Sequence, residues 1–339
     1  MNRHKSYSLS YVTSALLQLI IKSLAWLILY RAFSMLQMIQ ILFPSIALIG
    51  LGFYLFQSGT LDEKFWNGAE KLNYYILFPA LLFSSLANAD MNMRHLHNIL
   101  GIIFLVMALI VAAVYLFAKL NHTPVAQIGV YIQSLIRFNT YLGLSIATSL
   151  DNPEIKSILV NILAIAIPVV NVISILSLSP KNQLNIKAIF FSLIKNPLIS
   201  SCILGIVFNL LHIPIWSGFA SLLNAFSSSS LMLGLLCVGT AIQFTTLKYY
   251  LKKSFIISLI RLLVIPLLAF IMMQLFTFNA SAVIAIMIFF SIPTASSAYI
   301  LTKLLNGDHQ LMAATISMQT VLSVFSLALI LSLLQHFYH

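Results

Sequence analysis

Residues 134–147 read Ser-Leu-Ile-Arg-Phe-Asn-Thr-Tyr-Leu-Gly-Leu-Ser-Ile-Ala. They lie inside an apolar run long enough to cross a bilayer, yet Arg137, Asn139, Thr140 and Gly143 sit in its middle. An arginine near the bilayer centre costs about 2.5 kcal/mol or more on insertion scales, so it persists where it faces a partner, water or a substrate. The planar guanidinium of Arg137 matches a carboxylate in a two-bond fork. The competing reading is structural: an arginine bonded to backbone carbonyls, or one snorkelling to the surface. Arg137 lies about 13 residues into its run, too deep for easy snorkelling. Asn139 and Thr140 either satisfy freed backbone groups or touch substrate. Gly143, with Ser145, is the expected point of unwinding.

A second interrupted run is Ser291-Ile292-Pro293-Thr294-Ala295-Ser296-Ser297. Pro293 lacks a backbone donor and crowds the preceding turn, so a helix should kink or open there. Thr294, Ser296 and Ser297 line a cavity or let helices pack closely, as small residues do in membranes. Two broken apolar segments in corresponding halves are what transporter binding sites are built from. Half-helix N-termini meeting there add positive dipole ends, which suit anions. Ser84, Ser85 and Ser227 to Ser230 read as packing residues, Asn73 as interfacial, and Arg261 as snorkelling or structurally paired.

The acids are informative by their scarcity. Glu70 lies at the entrance to its span and Asp90 beyond the exit, with no Asp or Glu at mid-membrane depth. Cation- and proton-coupled pumps keep one there. Uniport of an anion is therefore expected, or coupling through a peripheral acid such as Asp62, Glu70 or Asp90. Intramembrane hydrolases need paired aspartates, a Ser–His pair or His/Glu metal ligands at depth; no such set is present, which argues against an enzyme. Cys202 and Cys237 lie in apolar runs and read as packed hydrophobes. The histidines fall near segment ends. No metal and no cofactor is expected.

The 339 residues are 60% hydrophobic and 7% charged, with a mean hydropathy of +1.01. A soluble domain cannot hide so much apolar surface, so the solvent for most of the chain is lipid. The net charge of +11 does not point to nucleic acid, because the basic residues cluster in loops as a positive-inside bias requires. A spanning helix needs about 20 mostly apolar residues. On that rule spans fall near 38–57, 68–88, 98–119, 124–149, 155–178, 197–212, 214–243, 252–277, 279–305 and 310–335. Closed β-barrels would need short alternating runs, which are absent. The expected fold is all-α and integral to the membrane. It has ten core helices in two inverted five-helix repeats, 35–180 and 181–339, with helices four and nine broken and crossing. Residues 1–34 are a hydrophobic leader, an extra helix or a start-site artefact. Residues 185–195 are expected along the membrane surface.

Lys64, Lys119, Lys181, Lys187, Lys248, Lys252, Lys253 and Lys303 all fall in odd-numbered connections. Those connections should be cytoplasmic, and both ends of the ten-helix core non-cytoplasmic. Five helices per half invert the second half relative to the first. The run from Asn139 to Leu150 aligns weakly with Thr294 to Leu305, about 155 residues on, and each ends at a polar turn.

Leu61-Asp62-Glu63-Lys64-Phe65-Trp66, followed by Leu77-Phe78-Pro79-Ala80-Leu81-Leu82-Phe83-Ser84-Ser85-Leu86-Ala87, resembles the auxin efflux carrier family, which also holds bacterial malonate-type permeases. Asn196-Pro197-Leu198, Leu235-Leu236-Cys237-Val238-Gly239-Thr240-Ala241 and Pro293-Thr294-Ala295-Ser296-Ser297 follow in the same order. The resemblance spans about residues 38–335. It implies ten helices in two inverted repeats, broken helices four and nine crossing near the midplane, and export or exchange of small organic anions. Plant members have proline at both crossings; here the fourth span has none between Pro124 and Pro153.

The expected function is therefore a permease for small carboxylates in a bacterial inner membrane, working by alternating access. Its partners are the organic anion, the bilayer and, as one open assembly, a second copy in a homodimer. The alternative is a non-transporting sensor acting through a partner protein.

Overall fold

The computed structural model describes residue 36 and residues 39–89, 96–178 and 195–338. The leader at 1–34, Asp90 and most of the surface segment at 185–195 lie outside the described residues. Among the described residues every regular element is a helix. Helices pair each backbone polar group within its own segment, as lipid demands.

The helices are α1 (Ile39–Gln57), α2 (63–87), α3 (Leu96–Leu120), α4 (Val125–Ile136), α5 (Thr140–Ser149) and α6 (Pro153–Leu178). They continue as α7 (Pro197–Leu210), α8 (Ser217–Thr240), α9 (Phe244–Met273), α10 (Ala280–Ser291), α11 (Ser297–Leu304) and α12 (His309–Tyr338). Six of them, α1, α3, α6, α8, α9 and α12, are long and apolar enough to cross a membrane. α3 shows why. Ile99, Ile102, Ile103, Val106, Met107, Ile110 and Val114 recur at helical spacing and are buried, while Leu105, Leu109, Leu116 and Phe117 face outward.

Two helices bulge where proline intrudes. α2 carries a π turn over Asn73–Leu77 just before Pro79, and α9 one over Ile260–Val264 just before Pro266. Proline has no N–H and its ring crowds the carbonyl four residues back; a wider turn relieves both problems. Each π turn holds a buried polar side chain, Asn73 in one and Arg261 in the other. Asn73, read as interfacial from its early position in the span, is buried between helices. It accepts from Ser230 Oγ at 2.7 Å and donates to the Ser230 carbonyl at 3.3 Å, tying α2 to α8.

α1, α2, α7 and α8 pack through small residues. A Cβ on Gly52 would sit 2.0 Å from the Leu236 carbonyl oxygen, and one on Gly239 would sit 2.1 Å from that of Ile49, so α1 and α8 touch backbone to backbone. A Cβ on Gly205 of α7 would meet the Phe83 carbonyl oxygen of α2 at 2.9 Å. Asn209 of α7 donates to the carbonyls of Leu86, Ala87 and Ala89, satisfying the end of α2. The remaining helices surround the two broken pairs, with α6 and α12 the most buried of the long spans.

The turns closing the broken pairs match. Asp151 after α5 and Asn306 after α11 both adopt left-handed backbone, φ 52° and 56°, which Asp and Asn tolerate best among non-glycine residues. Glu154, opening α6, accepts from Asn279 Nδ2 at 2.7 Å and Ser281 Oγ at 2.5 Å, at the start of α10. Asp308, opening α12, accepts from Gln127 Nε2 at 3.2 Å, at the start of α4.

Candidate functional site

α4 stops at Ile136, and α5 starts at Thr140. Between them Arg137 (φ −71°, ψ 150°) and Asn139 (φ −81°, ψ 95°) are extended. α10 stops at Ser291, with Ile292 extended (φ −72°, ψ 145°), and the chain re-enters helix at Ser297. The two openings touch: the Asn139 N–H donates to the Pro293 carbonyl at 2.8 Å. The aromatic rings of Phe138 and Phe289 pack beside them at 4.7 Å.

Opening a helix frees carbonyls at one half and N–H groups at the other, and buried ones must be paired. Here the pairing is traceable group by group. The Ser134 carbonyl accepts from Thr294 Oγ1 at 2.8 Å and Gln319 Nε2 at 3.0 Å. The Leu135 carbonyl accepts from Arg261 Nη1 at 2.7 Å, the Ile292 carbonyl from Arg261 Nε at 3.1 Å, and the Phe289 carbonyl from Arg261 Nη2 at 3.4 Å. On the donor side, Asn139 Oδ1 caps α5 by accepting from the Leu142 N–H at 3.1 Å, and Gln319 Oε1 accepts from the Thr294 N–H at 2.8 Å. Arg261 is 1% exposed, so it is a structural arginine and not a snorkelling one.

Arg137 is placed differently. Its Nη2 donates to Ser297 Oγ at 3.0 Å across the crossing. Its Nη1 is buried and has no hydrogen-bond partner among the described residues, and the same holds for Asn139 Nδ2, Gln133 Oε1 and Ser291 Oγ. Leaving a buried donor unpaired costs about 1–3 kcal/mol, more when it is charged. Four such atoms lie at or next to the two openings. Tyr74 of α2 is near enough to interact electrostatically with Arg137, as Glu70 and Tyr74 do with Tyr141.

The structure thus brings Arg137, Asn139, Pro293, Thr294 and Ser297 to one place. Thr140 is buried as the first residue of α5, and Ser296 is half-buried just ahead of α11. Thr294 is committed within the protein: its Oγ1 donates to the Ser134 carbonyl and its N–H to Gln319 Oε1. Gly143 lies inside α5, one turn past the opening, where an added Cβ would meet Ile292 Cδ1 at 3.1 Å. The backbone opens at 137–139, ahead of the expected point. Proline is not required there because Asn139, Thr294 and Arg261 supply partners for the freed groups.

Gln319 and Gln133 are residues that sequence reasoning missed, while Arg261 takes the structural one of the two roles expected for it. The signal was available: a buried amide or guanidinium in an apolar span is expensive unless it holds something. A cavity of about 710 Å³ lies apart from the crossing, lined by Asn88, Asn209, His212 and Asn224 among others at the ends of α2 and α7 and the start of α8.

The model of the membrane transport protein family matches residues 33–331. The chain belongs to this family, the auxin efflux carriers. An uncharacterized transporter of Methanothermobacter thermautotrophicus is 23% identical over 293 residues, covering 84% of this chain and 94% of that protein. Membership of the auxin efflux carrier family makes the chain a multi-pass membrane transporter and gives the six long apolar helices a bilayer to span.

Proposed function

We propose that this transporter carries small organic anions, carboxylates foremost, by alternating access around the crossing of α4/α5 and α10/α11. The observation that carries the reading is Arg137, whose Nη1 is buried at the opening with no partner among the described residues. The N-terminus of each half-helix carries roughly half a positive charge. With those of α5 and α11, Arg137 makes about two positive charges at one point. Asn139 Nδ2 adds a further donor. A carboxylate answers all of these at once.

The alternating-access part rests on ten spans in two inverted repeats of five. α4 has 12 residues and α5 has 10, each about half of a 30 Å hydrocarbon core at 1.5 Å per residue, so the pair makes one span. α10 and α11 do the same. The left-handed turns at Asp151 and Asn306, and the reciprocal ties from Glu154 to α10 and from Asp308 to α4, support the repeat. The lysine pattern supports a cytoplasmic location for the odd-numbered connections in an inner membrane. A homodimer remains part of this proposal.

The test is carboxylate counterflow in proteoliposomes. Arg137→Ala should abolish counterflow while leaving the melting temperature near that of the wild type. Arg137→Lys, a point charge without the fork, should retain part of it. Unchanged uptake in Arg137→Ala would remove Arg137 from the site.

A further inference from the structure

We propose that Arg261 is a resident cation, occupying the place where a transporter of this build would otherwise hold a coupling ion, and that it makes transport independent of sodium and potassium. The inference deepens the carrier reading above and rests on it for the transport readout.

Where broken helices meet, their exposed C-terminal carbonyls form the natural seat for a coupling cation, while their N-termini face the anion. In this protein that seat is filled by a side chain. The guanidinium of Arg261 donates from Nη1 to the Leu135 carbonyl at the end of α4, and from Nε and Nη2 to the Ile292 and Phe289 carbonyls at the end of α10. All three of its nitrogens are engaged, and the side chain is 1% exposed. Neither an aspartate nor a glutamate is among its hydrogen-bond partners. Its counter-charge is the two helix ends themselves, each roughly half a negative charge, together about one. One guanidinium therefore neutralises the seat. A second cation would meet helix ends already neutralised and three carbonyls that each already accept from the guanidinium.

The neighbouring Ser134 carbonyl is closed to an ion as well, because Thr294 Oγ1 and Gln319 Nε2 already donate to it. The π turn over Ile260–Val264 holds Arg261, and Pro266 keeps that turn wide. The cation is thus fixed to α9 by covalent bonds and cannot be released to either side, as a coupled ion must be.

Two readouts test this. In wild-type proteoliposomes, replacing sodium and potassium by choline on both sides should leave carboxylate counterflow within about twofold. Strict sodium dependence would overturn the proposal. The second readout needs no transport: melting temperature of the purified full chain. Sodium chloride or millimolar guanidinium should leave wild type unmoved against choline chloride, and should raise the melting temperature of Arg261→Ala by filling the emptied seat. A wild type stabilised by sodium as strongly as the variant overturns the idea, as does an Arg261→Ala that melts like wild type and responds to no cation. Should Arg261→Ala not fold, Arg261→Lys serves in its place; it keeps a tethered cation and should show wild-type indifference to sodium, while sodium-dependent stability in it counts against the proposal. If no carboxylate is transported at all, the carrier reading fails and the melting series still decides the question of the resident cation.

Discussion

Two arginines stand at the crossing, and their partners separate their roles. Arg261 spends every nitrogen on backbone carbonyls, whereas Arg137 keeps Nη1 unpaired. Asn139 combines both behaviours in one side chain, with Oδ1 capping α5 and Nδ2 unpaired. The two functions can be pulled apart. Asn139→Ala removes the cap and should cost about 1 kcal/mol of stability. Asn139→Asp keeps a capping acceptor but places a negative charge beside Arg137; it should melt close to wild type and lose most carboxylate counterflow. Equal losses of transport and stability in both variants would make Asn139 a cap and nothing more. Gln319→Leu leaves the buried Thr294 N–H without an acceptor and should cost about 1–3 kcal/mol, read as a lower melting temperature. Arg137 was legible in the sequence because a charge inside an apolar run has few explanations. Gln319 was not, and Arg261 was left between snorkelling and structural pairing, because their partners are backbone groups 25 to 185 positions away along the chain, and only the fold says which of those groups are free.

At the scale of helices, the positions of the six long apolar helices followed from apolar length, and the second break from Pro293. The first break lay four to six residues ahead of the expected Gly143, because unwinding is decided by where partners for freed backbone groups exist and not by where glycine occurs. α9 begins at Phe244, ahead of the expected 252, and kinks at Tyr250 (φ −111°, ψ 16°); its first turns are too polar for an apolar window to include. Glycine earns its place in a different way, at close crossings. Gly52→Ala would drive a methyl group into the Leu236 backbone and should sharply lower the yield of folded protein, whereas Gly50→Ala meets nothing within 4 Å. The latter should be neutral or stabilising by about 0.4–1 kcal/mol, since alanine loses less entropy in a helix. Folded yield and melting temperature of the pair check the α1–α8 crossing directly, and equal behaviour would refute it.

For the molecule as a whole, the question is which parts move if access alternates. Backbone-close packing joins α1 to α8, α7 to α2 and, through Asn73 and Ser230, α2 to α8. On the other side, the crossing is held by Arg261 of α9 and Gln319 of α12, and by the Glu154 and Asp308 ties at its two ends. Between these groups the contacts are of another kind. The Tyr141 ring lies over Gly234 and against Phe78 at 4.7 Å, and Ser45 Oγ meets Ser145 Oγ at 2.8 Å. Apolar packing of this kind, with a hydroxyl pair, has no directional bond network to break when the two sides slide. Ser45→Cys combined with Ser145→Cys sets two thiols at that seam, and a disulfide there would tie α1 to α5. Oxidation should stop counterflow and a reductant should restore it, while either single cysteine variant should be unaffected. Cys202 and Cys237 are buried, so they leave the background quiet. A crosslinked protein that still transports at the wild-type rate would mean that α5 does not move past α1, and the boundary between moving and fixed parts would have to run elsewhere.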